Sequence, residues 1–588
     1  MAGAPHYDVV IIGAGLAGLS LSRQFLLYSD KSVLVLDKRA EVPPKKQKVG
    51  ESLVQVGGYY LGKVLDLEEY LLCNHFMKYN LRFYWKSQGR GNDRFEDYSQ
   101  TYIRNFSNIG CYQLDRNAFE GELLRLNQQD ERFQFEAPVR LGEVDFADDD
   151  ETPHRVRYRR GGAEQEVTCD WVVDASGRAK ILARRKDMER DNEIRHGASF
   201  AWVEGLVDID KLTDGSLKDV LGKRSRRDIG HLPLWLATNH FMGEGFWFWV
   251  IPLQGKTSLG LVYDRRVLSP EKVSSAEKLL DWACREFPLF KRDLPGRKVL
   301  DFGRYPDYSY DCRKTIDGGR WALTGESGRF TDPLYSPGSD FIAIHNTLIF
   351  QAVLTEDPVR RAVRCKLYEL MMRSLYSAWV PAFAVSYDAL GDRECFVLKY
   401  TWELSIYFSF FVFPFINGLM GEERFVMPYL KRLGRLGPLN DGVQKLLSDY
   451  FQWKKAQGLL GNKEPVHHEL TRISTLSRAE KTFYRVDVSA SEAREVLDEQ
   501  LENLEELARF IAAQVAAEAL AEPDARTNRA FVEGIDLDNL RFDSDGFRQR
   551  LQACRDSSEQ YSWDWNPHLL AGRMQSESER FGSQVGAS

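Results

Sequence analysis

The chain has 588 residues, 43% hydrophobic and 28% charged, with a formal net charge of −7. That length supports roughly two to four domains and a large core, and a mildly acidic chain without a basic block argues against a nucleic-acid partner. The eight cysteines (73, 111, 169, 284, 312, 365, 395 and 554) show no C-x-x-C and no ligand-like spacing with histidine. They suit reduced thiols in a cytoplasmic protein and suggest no metal site.

The first apolar run, with Val9 to Ile12 at its heart, reads as a buried strand. It enters Gly13-Ala14-Gly15-Leu16-Ala17-Gly18, a G-x-G-x-x-G pattern, followed by a helical segment. Gly13 allows the tight turn, Gly15 lets backbone amides approach a pyrophosphate, and Gly18 lets helix and strand pack closely. The helix N-terminus, at Leu16 and Ala17, offers free N–H groups to the anion. A second strand, SVLVL, ends in Asp37, nineteen residues after Gly18, where a carboxylate can hold ribose hydroxyls. The pattern predicts a dinucleotide site. The run lacks the charged flank of a signal peptide, so the strand reading is preferred.

Residues 38–48, with two prolines and four lysines, predict a solvated loop. Gly50-Glu51-Ser52 then precedes a helical segment over 57–73, with Ser52 as its expected N-cap. Lys78 stands at the start of a strand that puts Leu81, Phe83 and Trp85 on one face. Asp115-Arg116 leads into a helix, DDDETPH reads as a hairpin-like insert, and CDWVVDASGR gives a buried strand ending in Asp174. From about 195 to 300 several strands, clearest at 246–252, suggest a sheet separate from the nucleotide-binding layer. WALTGES adds a strand running into Gly325 and Glu326.

Beyond about 350 the pattern turns helical, and a polar tail over 576–588 is expected to be disordered. Segment 404–420 is uncharged and apolar, but Pro414 and Asn417 break it, so no membrane span is expected. The acidic stretch 492–506 reads as a solvated helix face. His467 and His468 are expected in a polar loop, with no metal assigned.

The fingerprint, Asp37, the strand ending at Asp174 and the strand ending at Gly325 together resemble an FAD-dependent hydroxylase-superfamily protein rather than a nicotinamide enzyme. Three further features resemble the flavin-dependent halogenases. Trp247-Phe248-Trp249-Val250-Ile251-Pro252 matches that family's W-x-W-x-I-P pattern. Lys78-Tyr79-Asn80-Leu81-Arg82-Phe83 resembles the segment around its catalytic lysine, and Gly50-Glu51-Ser52 resembles its loop beside the flavin. On periodicity alone, residues 246–251 would equally suit an ordinary strand buried on both faces. The resemblance covers roughly residues 7–350.

The resemblance implies an α/β FAD-binding domain, Rossmann-like and of glutathione-reductase type, with an inserted substrate-side β-sheet and a mainly helical C-terminal region. The corresponding boundaries are 1–350, with the inserted sheet at about 195–300, then 351–575. FAD would be held by Gly13, Gly15, Leu16, Ala17, Gly18, Asp37, Lys38, Glu51, Ser52, Arg116, Asp174, Gly325, Glu326 and Gly338. The family usually has Gly-Asp-Ala where this chain has Gly325-Glu326-Ser327. Its chemistry uses reduced FAD, oxygen and a halide to make hypohalous acid, which a lysine (here Lys78) delivers to an electron-rich carbon. Trp247 and Trp249 would keep organic substrate away from the flavin.

The family's halide segment appears as Asp332-Pro333-Leu334-Tyr335-Ser336-Pro337-Gly338, so Ser336, Pro337, Gly338 and Ser339 are the candidate chloride or bromide site. Pro337 stands where the family has Ser or Thr and offers no N–H. A helix starting at Ser339 would add a favourable dipole. Tyr335 replaces the glutamate of tryptophan-halogenating members, which points to a phenol, pyrrole or other activated carbon. The implied setting is secondary metabolism, such as antibiotic biosynthesis, with a separate flavin reductase and a small-molecule substrate, free or tethered to a carrier protein. Two other readings stay open: an FAD-dependent monooxygenase or reductase acting on a large apolar substrate, and a non-catalytic flavin-binding protein that docks a carrier protein.

Overall fold

The computed structural model describes residues 4–103, 107–214, 233–461 and 463–570. The expected disordered tail at 576–588 lies outside these residues.

Two eight-stranded sheets frame the site. The first runs Ile316–Asp317, Trp321–Leu323, Ala163–Asp174, His6–Ile12, Val33–Leu36, Phe133–Glu136, with the strands His154–Arg160 and Arg140–Asp145 attached alongside. Its central strands pair in parallel, Val10 opposite Val172 on one side and Leu34 on the other. Val9 to Ile11 and Val33 to Val35 are fully buried, as strands covered on both faces require. All three ligand-facing turns, after Ile12, Asp174 and Leu323, leave this sheet at one edge, where open α/β sheets bind ligands.

The second sheet runs Val299–Tyr305, His196–Glu204, Lys256–Asp264, Phe246–Leu253, Thr238–Gly243, Leu81–Lys86, Tyr98–Tyr102, His467–Glu469. It recruits strands from both sides of the 195–300 segment. Thr238–Gly243 pairs in parallel with Leu81–Lys86, which brings the Lys78 region beside the tryptophan strand. Residues His467–Glu469 pair in parallel with Tyr98–Tyr102, so the two histidines lie in an edge strand and not in a loop.

Alternation divides this sheet's side chains as expected. Leu81, Phe83, Trp85, Trp247, Trp249 and Ile251 face the main core. Tyr84, Phe248 and Val250 face a second core closed by Leu279 and Trp282 of the helix Ala276–Glu286.

The helical part comprises Pro337–Val353, Pro358–Ala384, Arg393–Ile406, Glu423–Ala456 and Ala490–Leu520, with shorter pieces between. The main core runs without interruption from Val9 to Leu570, so these helices share it with the nucleotide-binding layer. The apolar segment is buried over 404–415, and it includes a π-helical stretch, Tyr407–Val412, whose Tyr407 and Phe408 line a cavity. Among the described residues no helix is long and apolar enough to cross a membrane. Helix Ala490–Leu520 starts with a Ser489/Glu492 capping box and leaves Glu492, Glu495, Glu499 and Glu502 exposed.

Candidate functional site

The turn after Ile12 has the geometry its glycines demand. Gly13 has φ +117°, and a Cβ at Gly18 would lie 2.1 Å from the Gly13 carbonyl oxygen. A Cβ at Gly15 would meet nothing within 4 Å, because Gly15 faces an open cleft. The cleft has a volume of about 1110 Å³ and is lined by Gly13, Gly15, Leu16, Ala17 and the rim residue Lys38, with Gly325 and Glu326 opposite. The helix Leu16–Tyr28 begins there without a side-chain cap, so its first amides are free for an anion. Arg39, Arg116, Arg140 and Arg178 supply positive charge around it.

Asp37 is more committed than a ribose-binding acid needs to be. Its Oδ2 accepts from the Ala14 N–H at 2.8 Å and Arg39 at 2.7 Å, and its Oδ1 accepts from the Arg39 backbone N–H and Nε at 2.8 Å. Burial alone would raise its pKa, but these hydrogen bonds hold the carboxyl below the usual range. Asp37 therefore braces the glycine turn and Arg39, a residue the sequence reading missed.

Asp37 lines the cleft, whereas Asp174, expected to touch the cofactor, does not. Asp174 is fully buried, and its carboxylate accepts the Ser176 and Leu182 N–H groups at 2.8 and 2.7 Å. It shapes the turn, while Ala175, Ser176, Gly177 and Arg178 line the cleft in its place.

Past Arg116, Arg178, Tyr305, Gly325 and Glu326 the cleft continues into a smaller, more enclosed cavity of about 130 Å³. Trp247, Trp249, Phe200, Ile251, Glu51 and Ser52 wall it. The tryptophan rings lie 5.6 Å apart, and Trp249 Nε1 donates to Ser258 Oγ at 3.1 Å. Glu51 accepts from Trp202 Nε1 at 2.6 Å, and burial pushes its carboxyl up to about 7. Burial also raises Glu326. A long polar cleft with a glycine turn and a helix N-terminus at one end, and an aromatic-walled slot at the other, fits FAD.

The candidate halide residues Ser336, Pro337, Gly338 and Ser339 line this slot. Tyr335 and Ser336 both have positive φ, 67° and 62°, and the next helix, Pro337–Val353, starts two residues earlier than expected. Proline suits that first helical position, which explains the earlier start. The Ser336 N–H donates to the Pro333 carbonyl at 2.9 Å, so Ser336 has no free backbone donor. Gly338 and Ser339 line the slot, and their amides, in the first helical turn, have no intrahelical acceptor. Asp332 holds the loop by accepting from Tyr308 OH at 2.7 Å and the Leu334 N–H at 2.9 Å, and it contacts His196 Nδ1 at 2.6 Å.

Pro337 also lines a third cavity, of about 280 Å³, on its other side. Lys78 lies there, 5% exposed, its backbone N–H bonded to the Cys111 carbonyl at 2.8 Å. Its Nζ donates to Ser52 Oγ at 3.2 Å, and Ser52 Oγ contacts Thr238 Oγ1 at 2.8 Å. Burial pulls the Lys78 amine down to about 8. Ser52 is consequently not an N-cap: it bridges to Gln113, and Val54 precedes the helix Gln55–Tyr59. The inward turn of the Ser52 side chain toward Lys78 outweighs its local capping preference.

Asp340, on the helix after Pro337, lines the same cavity and accepts from Tyr407 OH and the Gly57 N–H, each at 2.7 Å. Burial pushes it up to about 7. Trp379, Tyr400, Glu403, Leu404, Phe408 and Phe483 complete the wall. Asp340 sits two residues past the halide segment and was within reach of sequence reasoning. Glu403 carries no motif that could have announced it. Among the described residues no cluster of His, Cys, Asp and Glu could hold a metal ion.

No family model matches the chain. It is 29% identical over 364 residues to the flavin-dependent halogenase chlA of Dictyostelium discoideum, a match covering 58% of each chain. It is 27% identical over 388 residues to the tetracycline 7-halogenase of Kitasatospora aureofaciens, covering 60% of this chain and 64% of that one. The chain thus spans less than two-thirds of the length of these two relatives. In fold it is similar to the halogenase PltM in complex with phloroglucinol and FAD, with a TM-score of 0.57 at 16% identity, covering 85% of this chain and 96% of that one. It is also similar to the chondrochloren halogenase CndH, with a TM-score of 0.51 at 21% identity, covering 65% and 83% of the two chains. The chain is similar in sequence to flavin-dependent halogenases and shares the fold of solved halogenases, one of them in complex with FAD.

Proposed function

We propose that this protein is an FAD-dependent halogenase that uses reduced FAD, oxygen and chloride or bromide to halogenate an electron-rich aromatic substrate. One observation carries the reading: a flavin-sized cleft and a separate aromatic cavity meet at Pro337, and Lys78 joins them through its hydrogen bond to Ser52. A monooxygenase would bring substrate to the flavin itself. Here Trp247 and Trp249 fill that side, and the larger substrate-sized space lies beyond the lysine.

Bound FAD supplies the activation of oxygen that turns halide into hypohalous acid. The protein's part begins with the halide, which the Gly338 and Ser339 amides and the positive end of their helix would hold. The tryptophan walls exclude organic substrate, so the small oxidant leaves toward Ser52 and Lys78. With an amine pKa near 8, Lys78 has an accessible neutral form to accept halogen and a protonated form to hydrogen-bond the hypohalous acid. The aromatic walls of the third cavity then hold a ring against Lys78.

Relatives named for a pyrrole-2-carbonyl group on a peptidyl carrier protein and for tetracycline keep both tethered and free substrates within this reading. A separate flavin reductase would deliver the reduced cofactor. Reduced FAD, oxygen, bromide and an electron-rich phenol should give a product with bromine in place of hydrogen by mass spectrometry. Hydroxylated product without bromination would favour the monooxygenase.

A further inference from the structure

Tyr335 and Ser336 are consecutive non-glycine residues in the left-handed region, with φ of 67° and 62°. There a Cβ crowds the following carbonyl oxygen. The residue before a proline ordinarily takes an extended conformation, so Ser336, ahead of Pro337, departs from that preference as well. Such a backbone persists only where its surroundings over-determine it. The same loop turns Ser336, Gly338 and Ser339 toward the flavin slot.

The loop is held from two sides. On the nucleotide-binding side Asp332 accepts from the Leu334 N–H and the Tyr308 hydroxyl. On the other side the Tyr335 ring, 8% exposed, lies in the aromatic wall of the Lys78 cavity. It stacks on Tyr400 at 5.2 Å with 29° between the planes, and meets Phe83 edge-on at 6.1 Å. Its hydroxyl is hydrogen-bonded to the Glu403 carboxylate, whose Oε1 accepts from Lys399 Nζ at 2.5 Å and Gln444 Nε2 at 3.0 Å. Tyr400, Glu403 and Lys399 all belong to the helix Arg393–Ile406. Among the described residues none beyond Ile342 lines the FAD cleft or the slot, so Tyr335 gives the helical region a hold on the halide loop.

We propose that Tyr335 is a positioning residue for the halide. Its ring and hydroxyl, anchored on the helix Arg393–Ile406, hold Tyr335 and Ser336 in the left-handed conformation that aims the Gly338 and Ser339 amides into the slot. This deepens the halogenase reading and rests on its halide site. Tyr335 acts through the backbone, from outside the slot. Without its anchor the loop relaxes toward negative φ, and the amides have to be aimed again each time a halide binds. The loss falls on halide affinity, while the glycine turn and the rest of the FAD cleft keep their geometry.

The test measures chloride binding to the FAD-loaded protein by chloride-35 NMR line broadening, which needs no turnover. Tyr335→Ala removes the anchor and keeps a Cβ, so the dissociation constant should rise about 10-fold. Tyr335→Gly also loses the ring but takes positive φ at no steric cost, so it should bind chloride about 5-fold more tightly than the alanine variant. A residue that merely filled space would leave both variants equally weak. Tyr335→Phe keeps the ring and loses the bond to Glu403, which should weaken chloride about 3-fold. In bromination assays KM for bromide should rise in the same order, while kcat at saturating bromide stays within about 3-fold. Chloride binding by the alanine variant within about 2-fold of wild type, or equal weakness of the alanine and glycine variants, overturns the proposal and leaves the halide site standing. Should neither variant fold, unaltered chloride binding by Tyr335→Phe overturns it in their place. A wild type that does not broaden the chloride line refutes the halide site itself, and the proposal with it.

Discussion

Lys78→Met isolates the electrostatic cost of burying the proposed catalytic amine. The usual lysine value of 10.5 and the value of about 8 in the fold are separated by a free energy of about 3 kcal/mol. The folded state binds this proton less tightly than the unfolded state does. The cost is therefore fully present below pH 8 and fades as pH rises toward 10.5. Methionine keeps the length and removes the charge, at the loss of a hydrogen bond to Ser52 worth about 1 kcal/mol. Urea unfolding of both proteins at about pH 8 and about pH 10 should show the wild type gaining about 2 kcal/mol on the variant between the two. The comparison cancels most titrations common to both proteins. An identical stability difference at the two pH values would mean that Lys78 is not desolvated, and the argument from its lowered pKa would fall.

Three further outcomes follow from the same geometry. Pro337→Ser restores an N–H at the helix start. A charge-assisted bond of about 1.5–3 kcal/mol should lower the half-saturating chloride concentration about 10-fold in steady-state assays, and an unchanged value would remove this amide from the halide site. Gly18→Ala puts a Cβ 2.1 Å from the Gly13 carbonyl oxygen, so the purified variant should lose most bound FAD and unfold at lower temperature; a wild-type flavin content would refute the packing argument. Asp37 is held below the usual carboxylate range, so its stabilisation of the glycine turn is present above pH 4 and lost as pH falls through its folded value. Arg39→Ala should move that loss to higher pH and weaken FAD binding about 10-fold by fluorescence titration; an unmoved acid transition would show that Arg39 does not set the Asp37 carboxyl.

What the sequence revealed was mostly what is local in the chain. The Gly13–Gly18 turn, the two faces of Phe246–Leu253 and the strand after Lys78 each follow from short periodicities that a few residues carry. Asp174 is expected as a ligand because acids at strand ends usually are, but its carboxylate is taken up by the Ser176 N–H of the turn and the Leu182 N–H of a short helix, neither of which carries a periodic signal, while Asp37 lines the cleft with Arg39 on its carboxylate. Ser52 fits a capping pattern locally, and the pull of Lys78, 26 residues away, overrides it. Glu403 is further still from any motif. It reaches the cavity only because the helix carrying it packs against the Leu81–Lys86 strand, where Phe83 meets Phe396 at 4.6 Å and Tyr400 at 4.9 Å. Such long-range packing is set by the whole core and leaves no mark in a window of ten or twenty residues.

The central claim is that an oxidant made at the flavin reaches substrate only through Lys78. It is tested most directly by Lys78→Ala, with consumption of reduced FAD and formation of halogenated product measured in the same reaction. The account predicts that flavin is still oxidised, halogenated product disappears and hypohalous acid appears in solution, where a thiol trap can capture it. Product formation by the variant at the wild-type rate would contradict it.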